Sequence, residues 1–319
     1  MKSIIPAKQF GDAEIILVEQ KPEVLRAIRQ ELRDRGSRNV TGTRSLNELQ
    51  DRSAVELFDL MICNVDGEHQ DFVEFNQVIR QGQHGPNPYV VTIGVTEIAT
   101  EENIKRVMAA GIDSILLKPL SLAAVLDRIS ALVRLRKSFV VSSDYIGPDR
   151  RLRPRQEVCL PLIDVPNTLK DRIEDSYDEA RIREAIAATN VKVNRQRTTQ
   201  DAVLINQIVQ QIVPCYDTGR VDDSILAHLL HLQRAAQDIA QRMEETDDAA
   251  VGELCTALGP IVETLIANHL TPDVKDVRLL EHVASAIFKA YGTEERVRML
   301  SGDITATIKG ARRYADARS

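Results

Sequence analysis

The chain predicts an α/β doubly wound, five-stranded parallel sheet followed by an all-α helical bundle. Three observations point there. Residues 1–137 alternate short aliphatic runs with helical patterns, five times over. Residues 138–165 concentrate prolines and arginines, and from Leu169 onward the apolar spacing is helical almost throughout. Five strands, each followed by a helix, imply parallel pairing with right-handed crossovers, and fully apolar strands suit a sheet covered on both faces.

The elements follow in order. Ile15-Ile16-Leu17-Val18 reads as a buried strand. Pro22 to Arg35 reads as a helix with Val24, Leu25, Ile28 and Leu32 on one face and Gly36 as its stop. Val40 to Thr43 is a second strand, and Leu46 and Leu49 mark a second helix. Leu60-Met61-Ile62-Cys63 is a third strand, followed by a helix from Phe72 to Ile79. Tyr89 to Ile93 is a fourth, with a helix from Glu101 to Ala110. Ile115-Leu116-Leu117 is a fifth, and Leu122 to Leu135 the last helix of this part.

Residues 138–165 read as a basic, proline-bearing linker with an ordered hook around Tyr145-Ile146-Gly147-Pro148. Residues 166–319 read as the helical domain. Its candidate helices are 169–188, 199–213, 222–243, 249–268, 273–291 and 293–310, with Pro260 kinking or splitting the fourth.

Composition excludes several classes. The chain is 43% hydrophobic and 28% charged, with a formal net charge of -6. An acidic balance argues against broad nucleic-acid binding. No apolar run reaches the length of about 18 residues expected of a membrane span. Cys63, Cys159, Cys215 and Cys255 are far apart and form no CxxC or CxxH pair, so reduced thiols in a cytoplasm are the expectation.

The residues at the strand ends carry the functional argument. Glu19-Gln20 follow the first strand, Asn64 follows the third and Lys118-Pro119 follow the fifth. On this topology they make residues 12–136 resemble the receiver domains of bacterial two-component response regulators, a flavodoxin-like fold. The resemblance implies a known chemistry. A carboxylate after the third strand attacks a phosphoryl group, and an acidic pair after the first strand holds magnesium. A hydroxyl after the fourth strand closes over the phosphoryl oxygens, and the lysine pairs with them.

This sequence departs from that pattern. Gln20 replaces the acidic side chain expected to touch magnesium, and Asn64 occupies the acceptor position. An amide is not a competent phosphoryl acceptor. Lys118-Pro119 is intact and is a cis-proline candidate. Counting along the fourth strand places the hydroxyl position at Ile93, whereas counting back from Lys118 places it at Thr96. Asp66 is either an ordinary loop carboxylate or a substitute acceptor.

The expected protein is therefore a pseudo-receiver without catalysis, magnesium or another metal, its pocket near neutral and fixed in one conformation. It acts in bacterial two-component or related intracellular signalling. It binds a protein partner, or itself as a homodimer, through about Glu101–Ala110, Ser114–Leu117 and Leu122–Leu135, or through the bundle. The competing expectation is a phosphorelay component with genuine transfer through Asp66 or a bundle histidine. His228, His231 and His282 lack the Lys-Gly that the phosphotransfer pattern wants nearby, so structural histidines are the simpler reading. His228 and His231 stand at a chelating spacing with no obvious third ligand. The cluster Arg134, Arg136, Lys137, Arg150, Arg151, Arg153 and Arg155 reads as a solvated or salt-bridged linker, since no helix-turn-helix signature or interleaved aromatics support base reading.

Overall fold

A computed structural model describes residues 10–66, 71–151, 161–243 and 249–291. The chain divides into two compact units. The first holds the described residues through Arg150 together with Leu162–Lys192, and the second continues from Val193.

The first unit is built from β1 (Glu14–Val18), α1 (Pro22–Asp34), β2 (Asn39–Thr43), α2 (Leu46–Ser53), β3 (Leu60–Asn64), α3 (Asp71–Arg80), β4 (Val91–Thr96), α4 (Glu101–Ala109), β5 (Ser114–Leu117) and α5 (Leu122–Arg134). The five strands pair in parallel in the order β2-β1-β3-β4-β5. Alternate strand residues serve opposite faces. Ile15, Leu17, Leu60, Ile62, Ile93 and Val95 pack with α1 and α5, whereas Ile16, Val18, Met61, Cys63 and Val65 pack with α2, α3 and α4. The helix starts are locally encoded. Pro22 opens α1, and the hydroxyls of Ser45, Thr100 and Ser121 accept from the N3 amides of α2, α4 and α5.

β4 departs from expectation. It begins at Val91, because Asn87 ties Tyr89 and Val90 into a turn, and it runs through Gly94 to Thr96. Gly94 is strand, not loop: a β-carbon there would press at 3.3 Å on Val107 and on Val65. The missing side chain lets α4 sit close to the sheet.

The segment expected to be a linker is ordered over its described residues, around the hook expected at Tyr145-Ile146-Gly147-Pro148. Its described residues include an antiparallel hairpin of β6 (Phe139–Val141) and β7 (Ile146–Pro148), with Ile163 bridging back to Phe139. The short helix α6 (Thr168–Ile173) follows and buries Leu169 among the α1 and α5 residues. The hairpin is held by a buried ion cluster. Asp113, with its side chain 0% exposed, receives Arg80 at 2.9 Å and Arg136 at 2.8 Å. Arg80 also donates to the carbonyls of Gly111, Pro88 and Val90, and Arg136 to that of Tyr89. Phe139 lies beneath both guanidiniums, 5.3 and 5.0 Å from its ring centre. Gly111 sits at φ +76, where a β-carbon would collide with the carbonyl oxygen of Ile146. Glycine there admits the hairpin. Arg150 adds a bond to the carbonyl of Ile112. Arg136 and Arg150 are thus structural cations; Arg153 and Arg155 lie outside the described residues.

The remaining helices are α7 (Glu179–Asp217), α8 (Ser224–Met243), α9 (Ala249–Ala267) and α10 (Val274–Tyr291). The apolar spacing predicts two helices over 169–188 and 199–213. Instead α6 ends at a left-handed Asp175, φ 56, and α7 is one continuous helix. No Gly or Pro occurs between Glu179 and Val213 to interrupt it. The compact units divide elsewhere than at residue 166: Leu162–Lys192 group with the first unit. α9 continues through Pro260 as a single helix. In the second unit, Ile205, Ile208 and Ile212 of α7, Leu229 and Leu232 of α8, Leu258 and Val262 of α9, and Leu280 and Ile287 of α10 form one aliphatic core. The candidate helix 293–310 lies outside the described residues. Among the described residues no helix is long and apolar enough to cross a membrane.

Candidate functional site

Doubly wound sheets gather functional groups where strands give way to loops at their C-terminal ends. Here those ends bring together Glu19, Asn64, Asp66, Thr96, Glu97 and Lys118. Glu19 and Asn64 are buried, at the ends of β1 and β3. Lys118 follows β5, and its peptide bond to Pro119 is cis.

The lysine already has an anionic partner. Lys118 Nζ lies 2.9 Å from Glu19 Oε2, with the side chains 10% and 6% exposed, and 3.6 Å from Glu97 Oε1. The second oxygen of Glu19 accepts the Lys21 amide at 3.1 Å. Lys21 Nζ in turn donates to Glu97 at 2.9 Å, and that hydrogen bond holds the Glu97 carboxyl below its ordinary range. Gln20, in contrast, is exposed to solvent.

Asn64 uses its carbonyl oxygen locally, accepting the amide of Asp66 at 3.0 Å. Asp66 reaches across to the loop after β4. Its Oδ1 accepts from Thr96 Oγ1 at 2.5 Å, and its Oδ2 accepts the Glu97 amide at 2.6 Å. Asn103, in the first turn of α4, donates to Thr96 Oγ1 at 3.1 Å and to the Ile98 carbonyl at 2.9 Å. Arg106 reaches the Val65 carbonyl and the Asn103 side chain. Glu19, Asp66 and Glu97 thus stand among Lys21, Lys118 and Arg106, and these six charges sum to zero.

The two alternatives for the hydroxyl position separate cleanly. Thr96 lies at the C-terminal end of β4, beside Asp66 and Lys118, whose amide bonds the Thr96 carbonyl at 2.8 Å. Ile93 does not reach the site: it pairs with Ser114 mid-sheet and is fully buried in the α1/α5 layer. The shift arises because β4 runs through Gly94. Sequence alone does not single out Glu97, Lys21 or Asn103. Each sits in a loop or first turn, and only the observed end of β4 brings them in.

Burial pushes the Cys63 thiol well above its ordinary range, so it stays protonated in the sheet. In the helical part, His231 and His282 are exposed and His228 is half-buried on α8. His282 Nδ1 lies 2.9 Å from the Arg278 carbonyl, an ordinary helical contact. Among the described residues no group of three or more His, Cys, Asp or Glu side chains is placed to hold a metal ion.

Comparison with known proteins matches this fold. The family model for the response regulator receiver domain matches residues 15–130. The chain is similar to HP1043, an orphan response regulator of H. pylori, at 22% identity and TM-score 0.32, over 38% of this chain and 96% of that one. It is similar to a response regulator from Thermotoga maritima at 19% identity and TM-score 0.35, over 39% and 99%. A CheY-like receiver domain protein from Methanospirillum hungatei gives 22% and 0.34, over 38% and 92%. No curated protein matches the chain. With their five-stranded parallel sheet, residues 15–130 form a response-regulator receiver domain.

Proposed function

We propose that this receiver domain does not accept a phosphoryl group and that the protein works in the cytoplasm by binding protein partners. One observation carries the reading: the tip of β3 ends in the Asn64 amide, while Lys118 is paired with Glu19. A neutral amide offers no nucleophilic carboxylate oxygen. The lysine that would meet an incoming phosphoryl group is already neutralised by a buried partner.

The donor set does not suit magnesium either. That cation wants several oxygen ligands in near-ideal octahedral geometry. Glu19 is held by an ammonium, Gln20 is exposed, and both oxygens of Asp66 accept hydrogen bonds. The competing phosphorelay reading gains no support from this geometry, because Asp66 is engaged by Thr96 and Glu97 and not by Lys118. The surface offered to a partner is the face of α4, β5 and α5. Leu117 is 50% exposed there, and Ile104, Met108, Ile115 and Leu122 on the same three elements are half-buried. A second copy of the chain is one occupant that this face admits.

Magnesium titration followed by amide chemical shifts tests the pocket. The expected result is no saturable, site-localised shift at Glu19, Asn64 or Asp66 up to millimolar metal. Localised saturation at those residues would overturn the reading.

A further inference from the structure

Three donors stand at the C-terminal ends of β4 and β5: the Lys118 ammonium, the Thr96 hydroxyl and the Glu97 amide. Each is already taken by a carboxylate of this chain. Glu19 takes the lysine, and Asp66 takes the other two. Resting on the reading that Asn64 captures no phosphoryl group, we infer that Asp66 is a built-in anion that latches the loop between β4 and α4.

The hydrogen bonds around Thr96 make the latch directional. Thr96 Oγ1 accepts from the Ile98 amide at 3.0 Å and from Asn103 at 3.1 Å. Its one hydrogen is left for Asp66 at 2.5 Å, in competition with the Ile98 carbonyl at 3.4 Å. The second carboxylate oxygen collects the Glu97 amide at 2.6 Å. Bonds to an ionised acceptor are roughly twice as strong as neutral ones. At the other end Asp66 is tied to the tip of β3, through its own amide to Asn64 and through the Val65 amide to Val95. One carboxylate therefore joins the end of the central strand to the loop and, through Asn103, to the first turn of α4. Asp66 is a positioning residue: it fixes how α4 is presented, without any phosphoryl donor.

Hydrogen exchange on the full chain tests this, comparing the native protein with Asp66→Ala and the near-isosteric Asp66→Asn. Both variants are expected to raise exchange at the Glu97 and Asn103 amides by about tenfold or more, the loss of one or two charge-assisted bonds, while β1 and β3 amides keep their protection. The native protein is expected to show the same loop exchange with and without beryllofluoride and magnesium. Unchanged loop exchange in Asp66→Asn, with the fold intact, overturns the latch and leaves the function reading standing. A beryllofluoride-dependent change in the native protein overturns the function reading itself. If Asp66→Ala loses protection throughout the sheet, Asp66→Asn alone decides.

Discussion

Replacing Asp113 with Ala is expected to destabilise the first unit by roughly 3–5 kcal/mol, the cost of breaking a buried ion cluster from one side. The carboxylate is fully buried and pairs with both Arg80 and Arg136. It also accepts the Thr92 amide at 2.9 Å. Its removal takes that counter-charge from two guanidiniums in a low-dielectric interior. Burial pushes Arg80 down only to about 10, so Arg80 remains charged at neutral pH. Exchange of the Ile93 and Val95 amides, which report opening of the sheet, measures the loss. The pH dependence has a definite sign. Burial alone would raise the Asp113 carboxyl, but Arg136 and Arg80 outweigh it and hold it below its ordinary value. A depressed carboxylate stabilises above its unfolded pKa of about 3.9. That contribution disappears as pH falls through the folded value. The stability gap between native protein and Asp113→Asn is therefore expected to narrow below about pH 4 and to stay constant above it.

Phe139→Ala is expected to cost a comparable amount, about 3–5 kcal/mol for a buried phenyl ring. Phe139 is 0% exposed, packs edge-on against Tyr89 at 6.2 Å between ring centres, and lies under Arg80 and Arg136. Its amide and carbonyl both bond Ile163, so the ring anchors the returning strand as well. Urea denaturation followed by exchange of the Ile163 and Val141 amides checks this. A flexible linker would show little protection there in the native protein and almost no effect of the substitution.

These two effects concern the part of the chain that sequence reading rendered least well. The five strand–helix units were legible because aliphatic runs without polar alternation suit only a sheet covered on both faces. The cis Lys118-Pro119 bond was legible from its place after β5. The hook at Tyr145-Ile146-Gly147-Pro148 is legible in the sequence, but the strand it pairs with and the ion cluster beneath it are not, because proline and arginine are usually marks of solvated chain. Here Arg136 finds its counter-charge 23 residues away in Asp113, a pairing that no local pattern reveals. The end of β4 was hidden by Gly94, which reads as punctuation until Val65 and Val107 are seen to fill the space of its side chain. The same displacement puts Thr96, and not Ile93, at the strand end and brings Glu97 to the site. The gap read between residues 188 and 199 is polar and β-branched but holds no Gly or Pro, so packing carries α7 straight through it.

If Asn64 stands in the acceptor position, this receiver domain takes up no phosphoryl group. The most direct measurement is the intact mass of the native chain after incubation with acetyl phosphate and magnesium, with and without later hydroxylamine. The expected mass is unshifted in both samples. A gain of one phosphoryl group that hydroxylamine removes would mean that a carboxylate of this chain does capture phosphate, and would contradict that expectation.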